Sequence, residues 1–238
     1  MPKEIDSAAV KGWALEASAQ AAGIAAAQAF VSAPAGFHPT DALPGCQSVV
    51  VLGVPFPQEA ILDERIEYID VRNAVNKRLN EAAKALAKRI RQAGYQVRDV
   101  GGMSGKWVEG MQHGPISLKH AAALAGLGTI GKNNLLISPT YGTMLWFSAV
   151  LTDAALAPDE GVRLRVCDAC RLCVDSCPAH ALDDPAALDK KTCANTYFRL
   201  VDGKWRIRCF LCRKVCPHRF GVDSTKGGTA ACDSTSES

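Results

Sequence analysis

The clearest apolar repeat in the chain lies within residues 68–93, where Val75, Leu79, Ala82, Leu86 and Ile90 recur every three or four positions. That spacing predicts one long amphipathic helix ended by Gly94. Arg72, Lys77, Arg78, Lys84, Lys88, Arg89 and Arg91 fall on its other faces and read as a solvated surface rather than an anion-binding stripe. Residues 47–54 (QSVVVLGV) and 143–151 (TMLWFSAVL) are short, continuous apolar runs and predict buried strands. A helix over 7–22, opened by Asp6 or Ser7, a strand at 95–100 and a helix at 116–124 complete the pattern. Residues 24–29 fit a strand or a helix equally well. The mixture of helices and strands predicts an α+β domain ending near residue 160.

Composition narrows the classes. The chain has 238 residues, of which 48% are hydrophobic and 21% charged, enough to bury a core. A net charge of +3 does not mark the whole protein as a nucleic-acid or membrane-surface binder. The alanine-rich stretch at 8–29 is interrupted by Lys11, Glu16 and Gln20, and no run of eighteen apolar residues occurs, so the sequence predicts a cytoplasmic protein without a membrane span.

The ten cysteines change the picture, because eight of them fall between Cys167 and Cys216. Cys167-x2-Cys170-x2-Cys173-x3-Cys177-Pro178 is the run that builds a [4Fe–4S] cluster in bacterial ferredoxins, where the fourth cysteine serves the other cluster. A second run, Cys209-x2-Cys212-x3-Cys216-Pro217, is one cysteine short, and Cys193 is the nearby residue to complete it. The predicted ligands are Cys167, Cys170, Cys173 and Cys216 for cluster 1, and Cys177, Cys193, Cys209 and Cys212 for cluster 2. Paired zinc sites are the alternative, but zinc sites use pairs of C-x2-C and have no need of the triplet. Cys46 reads as a core residue and Cys232 as a bystander in the tail. From Arg163 to Arg219, twelve Lys and Arg face six Asp, which suits negatively charged clusters, docking of an acidic electron donor, or both.

Gly126-x-Gly128-x-x-Gly131 matches a dinucleotide fingerprint, and with Lys132 it nearly matches a phosphate-binding loop. Both need a strand before the glycines, and here a helix precedes them. The glycines then require close backbone approach to another element or to a cofactor.

Residues 115–151 (PISLKHAAALAGLGTIGKNNLLISPTYGTMLWFSAVL), residues 43–57 (LPGCQSVVVLGVPFP) and the cysteine segment together resemble the epoxyqueuosine reductases and reductive dehalogenases. The resemblance implies a nitroreductase-like, cobalamin-binding-type domain over 1–160, a ferredoxin-like double [4Fe–4S] domain over 161–220 and a disordered tail over 221–238. It implies electron flow from cluster 2 to cluster 1 and on to a corrinoid that reduces a small organic substrate. The alternatives are an electron-transfer protein without corrinoid and a relative containing FMN. Gln112 stands where the resemblance would put a proton-donating aspartate, with His113 beside it as the substitute, and Thr129 stands where a tryptophan is common. Lys132, Leu136, Phe147 and Val150 are the implied cofactor-binding residues. Ferredoxin or flavodoxin is the implied donor, and a homodimer is implied by the nitroreductase likeness. The modest charge, and a chain ending soon after Cys216, lead to the expectation that tRNA is not the substrate.

Overall fold

The computed structural model describes residues 3–103, 105–108, 111–184 and 188–222. The tail over 223–238, including Cys232, lies outside the described residues, and for Gln112 only the backbone is described. In chain order the elements are α1 (Ser7–Glu16), β1 (Ala21–Ala26), α2 (Pro39–Ala42), β2 (Ser48–Pro55), α3 (Glu59–Leu62), α4 (Tyr68–Gln92), β3 (Val97–Val100), β4 (Lys106–Val108), β5 (Met111–His113), α5 (Leu118–Leu124), β6 (Thr129–Ile130), β7 (Leu136–Ile137) and β8 (Leu145–Thr152). The cysteine-rich part adds α6 (Leu172–Asp175), α7 (Lys190–Tyr197), β9 (Phe198–Val201), β10 (Lys204–Ile207) and α8 (Leu211–Lys214).

Four strands make an antiparallel sheet in the order β1-β2-β8-β3, with Val50 opposite both Ile24 and Val150. Each face of this sheet is covered. On one, Val10 and Ala14 of α1 and Ala82, Leu86 and Ile90 of α4 close over Ile24, Val50, Leu52 and Val150. On the other, Ala121 and Ala122 of α5, with Leu136, cover Val49, Val51, Phe147 and Ala149. Burial on both sides is why β2 and β8 read as unbroken apolar runs. Each of the larger core side chains contributes about 1.5–3 kcal/mol by leaving water.

The first helix is shorter than its sequence suggests. Asp6 caps it, its carboxylate accepting from Ala9 N at 2.7 Å. It stops at Glu16, and Ser18 takes a left-handed φ of +72° that turns the chain into β1. The alanine-rich strand forms because α5 approaches it closely: a Cβ on Gly23 would stand 2.1 Å from Ala125 O. Asp159 then covers the outer edge of β1, accepting from Ile24 N (2.9 Å) and pairing with Lys11 (2.6 Å).

The long helix is as predicted, with Gly94 at φ +98° just past its end. Of its basic residues, Arg72 is buried while Lys77, Arg78, Lys84, Lys88, Arg89 and Arg91 are exposed. Its first turns meet the cysteine-rich part, where Tyr68, Val75 and Leu79 share a core with Met144 and Ile207. No helix or strand occurs between Thr152 and Leu172. Among the described residues no helix is long and apolar enough to cross a membrane.

Candidate functional site

The fold gathers the eight clustered cysteines into two groups of four. Cys167, Cys170, Cys173 and Cys216 line a narrow cleft with Lys132, Asn133 and His218. Cys177, Cys193, Cys209 and Cys212 line a separate cavity of ≈ 510 Å³. The grouping follows from how two short helices exchange their ends. Cys173 lies in α6 and Cys177 just past it; Cys212 lies in α8 and Cys216 just past it. Because α6 packs against α8, each helix gives one cysteine to its own group and the next to its neighbour's. Burial pushes the Cys212 and Cys216 thiols up to about 11 and raises Cys173 and Cys193. The buried guanidinium of Arg213 opposes this at Cys212, but burial outweighs it.

The glycine turn after α5 touches both cysteine loops. Gly128 sits at φ +155°, and a Cβ there would lie 2.2 Å from Ile137 O. At Gly131 a Cβ would come within 3.3 Å of Cys167 Sγ, so the close approach predicted for these glycines is to the cysteine loop and to β7. Lys132 Nζ donates to Asp168 O (3.1 Å) and Cys170 O (3.0 Å), pinning the first cysteine loop. Asn133 Nδ2 donates to Cys212 O (3.3 Å) on the opposite side. Thr129 Oγ1 donates to Val162 O (2.6 Å) and accepts from Leu164 N (3.0 Å), tying the turn to the chain that enters the cysteine segment.

The larger cavity is mostly apolar, with Leu118, Leu136, Leu145 and Phe147 on the side of the sheet and Tyr197 and Phe198 on the other. Its polar groups are few. Lys119 Nζ donates to Asn134 Oδ1 (2.9 Å) and to Asn134 O, and burial, aided by Lys190 and Arg213, draws its ammonium down to about 8. Thr143 Oγ1 and Trp146 Nε1 are buried in the wall and have no hydrogen-bond partner among the described residues.

Against the residues read from sequence, the cavity takes Leu136 and Phe147 but not the others. Val150 is a correction: it lies on the opposite face of β8 from Phe147, packed under α4 at 0% exposure. Lys132 lines the cysteine cleft instead of the cavity. His113 lies in β5 with its ring 5.9 Å from that of Phe37, outside the cavity lining, and Gln112 pairs through its backbone with Trp107. The group bordering this cavity is that of Cys177, Cys193, Cys209 and Cys212. Asn133 lines both the cleft and the cavity. Lys119, Asn133, Thr143 and Arg213 also belong to the site, and no periodicity or spacing in the sequence marks them.

No protein-family model matches the chain. The epoxyqueuosine reductase of Synechococcus sp. (strain RCC307) is 28% identical over 185 residues, covering 74% of this chain and 56% of that protein. The one from Gloeobacter violaceus is 28% identical over 203 residues, covering 76% and 59%. The chain is similar to epoxyqueuosine reductases over most of its length. It spans 56–61% of the length of three such relatives. Among solved structures, an epoxyqueuosine reductase with an epoxyqueuosine-modified tRNA stem loop has a TM-score of 0.60 at 21% identity, covering 94% of this chain and 66% of that one. A catabolic reductive dehalogenase in complex with 3-bromo-4-hydroxybenzoic acid has a TM-score of 0.58 at 22% identity, covering 73% and 25%. These two likenesses establish a shared mixed α/β fold. The tRNA-bound relative overturns the expectation that tRNA is not the substrate; the small net charge and the position of the chain's end were insufficient grounds for it.

Proposed function

We propose that the chain is an iron–sulfur, corrinoid-dependent reductase of the epoxyqueuosine reductase kind, acting on a modified base carried by tRNA. The observation that carries this reading is the division of eight cysteines into two groups of four, one of which opens onto a largely apolar cavity. Each group has the four thiols a [4Fe–4S] cluster needs. Among the described residues no three His, Cys, Asp or Glu converge tightly enough for a single metal ion. The cavity suits a broad apolar macrocycle, since Leu136, Leu145 and Phe147 offer apolar contact.

When bound, the clusters supply one-electron transfer and the corrinoid a strongly reducing metal at its open face. The chain's own residues do the rest. Leu136, Leu145 and Phe147 would hold the corrinoid by apolar contact and exclude water. Lys132 fixes the first cysteine loop, and Arg213 offsets thiolate charge. Reductive loss of an epoxide oxygen takes two electrons and two protons and releases water. The Gln112 amide cannot supply those protons, whereas Lys119 Nζ holds one in the cavity wall. An external donor such as ferredoxin or flavodoxin would reach the Cys167 group, which does not line the cavity. The relatives' activity as reductases does not favour a pure electron carrier or a flavin-containing variant.

Anaerobic purification from corrinoid-supplied cells tests this. About eight irons and one cobalt per chain, and conversion of epoxyqueuosine-bearing tRNA, are the expected results. Iron without cobalt would overturn the corrinoid reading, and no iron would overturn both.

A further inference from the structure

We infer that Lys119 and Arg213 are the counter-charges of a cluster held by Cys177, Cys193, Cys209 and Cys212, and set its reduction potential above that of the cluster held by the Cys167 group. The inference rests on the proposed iron–sulfur reading and adds which residues order the two clusters. Three cationic side chains, Lys119, Lys190 and Arg213, line the cavity with the four cysteines, and among the described residues no Asp or Glu does. Lys119 and Arg213 have only neutral hydrogen-bonding and stacking partners. Lys119 Nζ donates to Asn134 Oδ1 (2.9 Å) and to Asn134 O. Arg213 is 6% exposed, its guanidinium 5.7 Å over the ring of Trp146 and its Nη1 4.0 Å from Met144 Sδ. Two acids that reach the cysteine-rich part are engaged by other cations, Glu67 by Arg206 (2.5 Å) and Glu64 by Lys214 (3.6 Å).

Hydrogen bonds to neutral groups leave the charge itself unmet, and a buried charge without a counter-ion is strongly unfavourable. Lys119, its ammonium drawn down to about 8, is still cationic at neutral pH. The sulfurs are what remains to meet these charges: Cys193 and Cys212 act on Lys119, and Arg213 acts on Cys212. Protonated thiols carry no charge, whereas four thiolates around a [4Fe–4S] core make a dianion when oxidised and a trianion when reduced. Three cations on the cavity wall match the reduced state, so they favour uptake of an electron. The cleft of the other group has one Lys or Arg in its lining, Lys132, and Asp168 of that loop pairs with Arg165 (3.0 Å). Net charge is among the quantities that set a cluster's potential, and here it differs in one direction. The external donor protein supplies one electron to the Cys167-side cluster. When that cluster is oxidised again and the cavity-side cluster is reduced, the electron has moved downhill toward the cavity.

The test is an anaerobic redox titration of the full iron-loaded chain followed by EPR, with the two signals assigned through Cys193→Ser and Cys216→Ser. In wild type the cavity-side signal should have the higher midpoint. Lys119→Gln keeps a hydrogen-bond donor beside Asn134 and removes the charge. It should weaken reduction of the cavity-side cluster about tenfold, a fall of about 59 mV for one electron, and leave the other midpoint unmoved. Lys119→Arg, which keeps the charge, should hold the wild-type midpoint. Lys190→Gln, at an exposed position, should move the same signal in the same direction by less. Equal or reversed midpoints in wild type would overturn the inference without any variant. So would an unmoved midpoint in Lys119→Gln, or an equal fall in Lys119→Arg, which would make the effect one of packing. If Lys119→Gln loses iron, the wild-type order and Lys190→Gln still decide. The reductase reading fails separately: reversed midpoints in a chain that reduces the tRNA-borne base sink only the inference, and ordered midpoints in a chain that reduces no such base sink only that reading.

Discussion

At Gly128 a single hydrogen atom separates a working turn from a collision. Its φ of +155°, and the 2.2 Å that a Cβ would leave to Ile137 O, allow no other residue. Gly128→Ala should lower stability by about 3 kcal/mol or more, read as a shift in the denaturant midpoint. Gly161→Ala, where nothing lies within 4 Å, should stay within about 0.5 kcal/mol. Cys46 offers a prediction in pH. Its thiol is 4% exposed, and burial holds its pKa at about 11 against 9.0 in the unfolded chain. The folded state therefore binds more protons between those values, and stability falls as pH rises through that window. Cys46→Ala should cost about 1 kcal/mol near neutrality through lost packing, yet decline by about 2–3 kcal/mol less than wild type between about pH 9 and 11. Equal declines in the two proteins would show that Cys46 does not titrate as its burial implies. In the sequence Cys46 is legible as core, since it adjoins an apolar strand. Thr129's part is not, because it depends on where a distant carbonyl, Val162 O, comes to rest.

Among elements, α4 was legible and β1 was not, and the difference is physical. A 25-residue helix repeats its pattern often enough for the period to dominate, and large side chains mark its buried stripe. Leu86, at 0% exposure between α1 and the sheet, is the place to test that stripe. Leu86→Ala should cost about 2–5 kcal/mol in equilibrium unfolding, and a loss under about 1 kcal/mol would mean the helix is not seated as described. By contrast, β1 is built of alanine and glycine, small enough for a backbone approach in which a Cβ on Gly23 would stand 2.1 Å from Ala125 O. Its strand character comes from tertiary packing and not from propensity. The same limit explains Val150. A strand buried on both faces shows no alternation in sequence, so which side each residue takes stays hidden until its partners are placed. Phe147 and Val150, three residues apart, belong to opposite sides of the sheet.

Across the whole molecule, the cysteine spacing carries information that the cavity does not. Two runs of C-x2-C-x3-C-P announce their exchange of ends, because a helix four residues long cannot return its following cysteine to its own loop. Which group borders the cavity is invisible at that level, since it depends on which distant residues pack around each group. The consequence is an asymmetry that two substitutions can read. Cys216→Ser removes a thiol from the group in the cleft, and Cys193→Ser removes one from the group on the cavity. If each group holds one cluster, either variant should lose up to about four irons of about eight, with the remaining EPR signal differing between the two. Only Cys193→Ser should also disturb a corrinoid added to the cavity, seen as a changed absorption spectrum, because Cys193 lines that space and Cys216 does not. A variant pair that loses all iron together would mean one shared assembly rather than two. Spectra disturbed equally by both substitutions would place the cofactor elsewhere than the ≈ 510 Å³ cavity.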